Sequence, residues 1–372
     1  MEGHLIMKYP LKSKELKIKV QKDLTTYLNY SLPLCAILSE DKYYPWFYQH
    51  FVQLYTLNDD EGNLWVDYLE DLDFFKDVAD KHFYDYKSLI EVKDILNFII
   101  NNIDMDNYVI VFLDEYYLPH KLSYMKEHFL HQLMIYGYNE ETQIFNTIAF
   151  NEDGEFKKDD YTFEQINQAY ELGKNYYQTS PIWVLNETLE IIKLKETEDK
   201  YEFSLDLFLE ELNTYLLGQG DYSKIRPNNL KTNGTIASFN FKVFDELIIH
   251  LNDLIQGKET MDYRYMHLLF EHKSIMHRRL EYIAGIHKPN NKLNLLLQDY
   301  KEEVVRRTLK ARNLFFKQMI MLESDDPNQS FVTKTLQSII DIIQLTKEKE
   351  KSLLMDIYSE MKVVFCNINN VK

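Results

Sequence analysis

Glycine, proline and cysteine are scarce in this chain, at 10, 8 and 2 of 372 residues. So little glycine and proline predicts long regular elements and argues against a glycine-rich phosphate-binding fold. Neither a Gly-x-Gly-x-x-Gly run nor a Walker-type lysine motif occurs. Two cysteines, Cys35 and Cys366, are too few for a disulfide framework. A single bridge between them stays open, but a reducing compartment fits better. Met1–Pro10 has no charged region followed by an apolar stretch, so no signal peptide is expected. No apolar run reaches the roughly 18 residues that a membrane span requires. Positive charge is also short: 42 Lys and Arg stand against 59 Asp and Glu, a net charge of -17. Such a surface repels phosphate backbones, which argues against general nucleic-acid binding. The expected protein is soluble and cytoplasmic, with no membrane or nucleic-acid partner.

Apolar and aromatic residues are plentiful. Hydrophobic residues make up 45% of the chain, with 28 Tyr and 22 Phe, enough to bury a large core. Residues 31–57 read as helical, with Ser31 as cap and Pro33 in the first turn. The aromatic block from Tyr43 to Tyr55 reads as core on that helix. An amphipathic helix is expected over 86–102. β-runs follow at Tyr108–Phe112, His131–Tyr138 and Gln143–Phe150, the last two joined by a hairpin loop at Asn139–Thr142. Asp59–Gly62 and Asn151–Gly154 read as turns, and 219–240 as a polar loop. Thr162 and Ser204 read as helix caps. Beyond Ser204 helices dominate, at 241–256, 262–285, 291–322 and 331–362. The expected fold class is α+β: a domain over 1–200 with an antiparallel sheet, then a helical domain over 201–372.

The sharpest chemical hypothesis joins Cys35 to His131. If Pro33 opens a helix, Cys35 lies in its first turn, where the helix dipole and the free N–H groups favour a thiolate. An imidazole brought to it would act as base and then acid. His131 opens the strand that a Gly137-Tyr138 pair is expected to close at a turn. A third group should hold the ring, and Asn151 stands near the end of the neighbouring strand. The competing reading makes Cys35 an inert core residue, because Leu34, Ala36 and Ile37 flank it, and makes His131 a hydrogen-bonded core histidine. His128-x-x-His131 has the spacing of a metal pair, but no further ligand completes a zinc pattern, so no metal is expected. A second constellation runs from Asp262 to Tyr282. There Met266, Leu269, Met276, Leu280 and Ile283 form an apolar stripe. Arg264, His267, Lys273, Arg278 and Arg279 make either an anion site or a hydrogen-bonded polar seam.

Asp114-Glu-Tyr-Tyr-Leu-Pro119, His128 and His131-Gln-Leu-Met-Ile-Tyr-Gly-Tyr138 together resemble the N-terminal domain of the butirosin biosynthesis protein H family. Asp262-Tyr-Arg264, His267, Glu271-His-Lys273 and Arg279-Leu-Glu-Tyr282 are similar to the helical half of relatives found beside nonribosomal peptide synthetase genes. The resemblance spans roughly 25–320. It implies a papain-like fold and a cysteine acyltransferase, or a related thioester or amide hydrolase, of antibiotic or other natural-product biosynthesis. The acyl group would come from a phosphopantetheine-borne thioester. It also implies an acyl or peptidyl carrier protein and a small-molecule acceptor as partners, with homodimer formation open. On it, His131 matches the family histidine, whereas the family cysteine, which follows an asparagine, falls at Tyr30 after Asn29. The position of the family acid falls at Ala149 or Phe150. Those departures imply an alternative, a catalytically degenerate binding or scaffold protein. The residues assigned to substrate are Tyr30, Tyr117, Arg264, His267 and Lys273; those assigned to catalysis are Cys35, His131 and Asn151.

Overall fold

The computed structural model describes residues 12–58, 63–178, 180–196, 201–225, 235–287, 290–322 and 329–369. The expected turn at Asp59–Gly62 and much of the expected loop at 219–240 lie outside the described residues, as does the Cys366 side chain. The chain divides into two units, Met1–Tyr43 with Phe75–Lys200, and Tyr44–Phe74 with Tyr201–Lys372. A boundary thus falls at residue 200, but Tyr44–Phe74, expected in the first domain, belongs to the second unit.

The strands along the chain are β1 (Ser13–Glu15), β2 (Leu54–Asn58), β3 (Leu64–Tyr68), β4 (Ala79–Tyr84), β5 (Tyr108–Asp114), β6 (Leu130–Asn139), β7 (Ile144–Phe150), β8 (Phe156–Thr162), β9 (Leu189–Leu194) and β10 (Thr235–Phe239). In the first unit one antiparallel sheet runs in the order β4-β9-β5-β6-β7-β8, and β1 pairs with the far end of β6. The sequence Tyr-Val-Ile-Val-Phe-Leu-Asp makes β5 its most buried strand, with every residue inside. β-branched and aromatic side chains suit a strand covered on both faces. Helices Leu28–Ile37, Ile95–Asp104 and Phe163–Tyr177 contribute to its core. The last begins in a capping box, with Thr162 accepting from the Gln165 N–H and Gln165 reaching back to the Thr162 N–H. The expected helix over 86–102 is interrupted. Only Tyr86–Leu89 and Ile95–Asp104 are helical, because Asp94 adopts an extended backbone and caps the second piece through the Asn97 N–H.

Gly137 does not close β6. It lies inside the strand, opposite Glu15 of β1 and Asn146 of β7, and the chain turns only after Asn139. There Asn139 accepts from the N–H groups of Glu141 and Thr142. Glycine is required at 137 by close approach: a Cβ there would stand 2.9 Å from the Lys14 carbonyl oxygen and 2.7 Å from the Asn146 Oδ1. Gly137→Ala should therefore cost about 1–3 kcal/mol, read from urea unfolding. An unchanged midpoint would mean that β1 yields freely.

The second unit combines a small antiparallel sheet, β10-β2-β3, with helices Tyr44–Gln49, Leu205–Leu217, Val243–Ile255, Tyr263–His287, Asn291–Tyr300, Arg306–Leu322 and Gln329–Asn369. The expectation of an all-helical second half is corrected by that sheet. The aromatic block is core, as expected, but not one helix. It bends at Phe51, whose φ is 62°, and continues as β2. Trp46 stacks on Phe74 at 5.9 Å, and Phe51 meets Tyr68 edge-on at 5.2 Å. The stripe Met266, Leu269, Met276, Leu280 and Ile283 is buried as its spacing predicts. No described helix is long and apolar enough to cross a membrane.

Candidate active site

The helix that carries Cys35 starts three residues earlier than its expected cap, at Leu28, with Tyr27 extended before it. Pro33 is therefore interior, and Cys35 is the eighth of ten helical residues, beyond the reach of the free N–H groups. Its side chain is fully buried, within a core that includes Leu16, Leu32, Ala36 and Ala149. Burial pushes its thiol pKa up to about 12, against a smaller opposing effect from the Gln21 backbone N–H. Tyr30 and Asn29, not Cys35, occupy the first helical turn, and Tyr30 is itself buried.

His131 is placed differently. Its half-buried ring, near the start of β6, donates from Nδ1 to Glu115 Oε1 at 2.8 Å. A carboxylate can only accept, so Nδ1 carries a proton, and in the neutral form of the ring Nε2 keeps the lone pair. Among the described residues no hydrogen bond links this ring to Cys35. The antiparallel pairing brings the partners together: Leu113 of β5 lies opposite His131, and Glu115 follows two residues later, its N–H donating to the Phe129 carbonyl at 2.9 Å. Phe129 also packs on the His131 ring at 5.2 Å between centroids.

Glu115 is buried, and Lys121 approaches the same Oε1 at 3.5 Å while donating to the Phe150 carbonyl at 2.7 Å. Burial by itself would raise the Glu115 pKa. The hydrogen bond from His131 and the charges of His131 and Lys121 outweigh it and hold the carboxyl below its ordinary range. Burial depresses Lys121, against the pull of Glu115. The orienting group is therefore Glu115 and not Asn151, whose Oδ1 accepts from the N–H groups of Asp153 and Glu155 and so closes its own turn. A signal for Glu115 was present in the sequence: an acidic pair ends an all-apolar strand. A strand pairing that places this end against His131 is a tertiary fact.

Beside this pair stands a second one. Fully buried Asp114 accepts from His128 Nδ1 at 2.7 Å and from the N–H groups of Tyr116 and Phe129. The His128 ring is stacked between Tyr116 at 4.4 Å and Tyr176 at 4.0 Å, with Tyr117 at 5.9 Å. Tyr117 thus borders the Asp114–His128 pair. No group of three or more metal-ligating side chains occurs among the described residues.

Tyr30 shares the first unit with these acid–histidine pairs, whereas Arg264, His267 and Lys273 belong to the second unit and have partners there. Arg264 donates to Asp262 from its backbone and its guanidinium, which lies 4.4 Å over the Trp65 ring. His267 is held at both nitrogens, by Glu271 at 2.9 Å and by Arg312 at 2.7 Å. Lys273 is fully buried against Glu350, and buried Arg279 donates to the carbonyls of Tyr48 and His50. Of the two expected readings of this stretch, an anion site or a hydrogen-bonded polar seam, Lys273 and Arg279 follow the second, since both are buried and committed to partners.

Comparison of the chain with protein-family models and with curated proteins finds no match to either.

Proposed function

We propose that this chain is a papain-like protein of the butirosin biosynthesis protein H type in which covalent thiol catalysis has been lost. In this reading it is a binding or scaffold protein of a natural-product or nonribosomal-peptide pathway. It would hold a carrier-borne acyl group near a small-molecule acceptor. The observation that carries the reading is Cys35, a fully buried thiol in hydrocarbon with its pKa pushed up to about 12. At neutral pH such a group has about a thousandth of the thiolate of an ordinary one, and structural cysteines of this kind are inert. The second support is the first turn of the helix. There the resemblance puts the nucleophile, and this chain carries a buried phenol, Tyr30. The acid–histidine pair Glu115–His131 persists as the polar floor of a ligand site.

Iodoacetamide labelling of a Cys366→Ser variant across pH 5–9 tests this. Native Cys35 should label about a thousandfold more slowly than the same thiol in urea. Rapid native labelling with an apparent pKa below about 8, lost in His131→Ala, would restore the cysteine acyltransferase.

A further inference from the structure

His131 and Glu115 have the geometry of a working base without an enzyme nucleophile. The carboxylate fixes Nδ1–H at 2.8 Å, Lys121 steadies that carboxylate, and Phe129 packs on the ring. Among the described residues no protein hydrogen bond engages Nε2 of the half-exposed ring. We infer that this pair is a general-base site that activates water, or a hydroxyl or amine acceptor, directly against a neutral activated acyl group, with no acyl-enzyme.

The surroundings select that substrate class. The cation on Glu115, Lys121, is buried and committed to Glu115 and the Phe150 carbonyl, so it is not available to a phosphate. Asp114 sits next to Glu115, and Asp159 pairs with His120 one residue before Lys121, which adds negative charge against an anionic substrate. The loop from Lys121 to Phe129 instead exposes apolar side chains: Leu122 is 62% exposed, Met125 67% and Phe129 49%. A neutral, partly apolar acyl compound is the ligand that suits such a rim.

With an ester and water the step balances simply. The Nε2 lone pair takes a proton from water as the water oxygen bonds to the carbonyl carbon. The tetrahedral adduct collapses, the bond from carbon to the leaving oxygen breaks, and the alcoholate departs. The imidazolium then returns its proton to solvent or to the leaving group. Glu115 stabilises the transient imidazolium and is a positioning residue.

This inference rests on the inertness of Cys35, and the experiment separates the two. The full-length protein is assayed with p-nitrophenyl acetate for saturable release of p-nitrophenol, with His82→Ala as the control for a surface imidazole. We expect His131→Ala and His131→Gln to lower kcat/KM about a hundredfold. Glu115→Gln should lower it at least about tenfold, through kcat and not KM, because the transient imidazolium loses its carboxylate. Cys35→Ala should leave it unchanged, and the reaction should be slower in deuterium oxide. Thermal unfolding of each variant confirms that it is folded. No saturable activity in the wild type, with Cys35 still unlabelled by iodoacetamide, overturns the general-base site alone. Loss of activity in Cys35→Ala overturns both readings. A burst of acetyl-enzyme without an isotope effect also overturns the base role, by making His131 a nucleophile.

Discussion

Lys273→Met should weaken the second unit by about 3–5 kcal/mol, among the largest effects of any single substitution in it. Lys273 and Glu350 are both fully buried, with Nζ 2.9 Å from Oε2. Lys273 also donates to the Tyr215 hydroxyl at 2.5 Å, and Tyr300 donates to the other Glu350 oxygen at 2.7 Å. Burial lowers the lysine pKa, and Glu350 resists the shift. Burial, reinforced by the same carboxylate, holds the Tyr215 and Tyr300 hydroxyls protonated far above their ordinary range. Removing the ammonium leaves an uncompensated charge in a low dielectric, which is what makes the single change costly. Replacing both partners removes that penalty, so Lys273→Met with Glu350→Leu should recover most of the loss. Urea unfolding of the two singles and the double reads the coupling. Equal midpoints for Lys273→Met and the wild type would show that the pair is dispensable.

Acid should destabilise the same unit well before its carboxylates titrate. His250 is buried, and burial lowers its pKa to about 4, against raising effects from Asp253 and Asp262. The Tyr265 ring meets it edge-on at 5.0 Å. The unfolded chain binds this proton near pH 6.5 and the folded chain only near 4. The stabilising contribution is therefore complete above 6.5 and is lost as pH falls towards 4. Over that window the loss comes to about 3 kcal/mol from this one ring. His272 acts in the same direction. It is wholly buried, depressed first by burial and then by the neighbouring Lys273 charge, and its Nε2 donates to the Val52 carbonyl at 2.8 Å. Urea midpoints at pH 7, 6, 5 and 4 should fall steadily, and His250→Leu should flatten the curve by one proton. A wild-type midpoint independent of pH between 6.5 and 4 would refute the assignment.

Two helix caps and the strand runs of the first sheet are legible because they are local, whereas the expected cap Ser31 is interior to its helix. Thr162 and Ser204 cap as their side chains predict, and β5, β6 and β7 lie where apolar runs end in polar turns. The aromatic block carries no local sign of its change from helix to strand, because aromatics serve both. Its bend at Phe51 and the pairing of β2 with β10, nearly two hundred residues on, have no local mark. Cys35 lies more than one turn deeper in its helix than a Pro33 opening implies, because the helix begins at Leu28 and Pro33 is interior. The tie between Glu115 and the ring has no local mark, because the contact depends on which strand pairs with which.

What the sequence determined by itself was the α+β class, the change of style near residue 200, and the buried stripe of the long helix at Tyr263–His287. Each follows from periodicity and polarity within a short window. The tertiary structure decided the rest: that the thiol faces hydrocarbon, that a glutamate sixteen residues before the histidine holds its ring, and that Lys273 looks inward to Glu350. Those outcomes turn on desolvation and on contacts between distant segments, and neither is encoded in the neighbours of a residue along the chain.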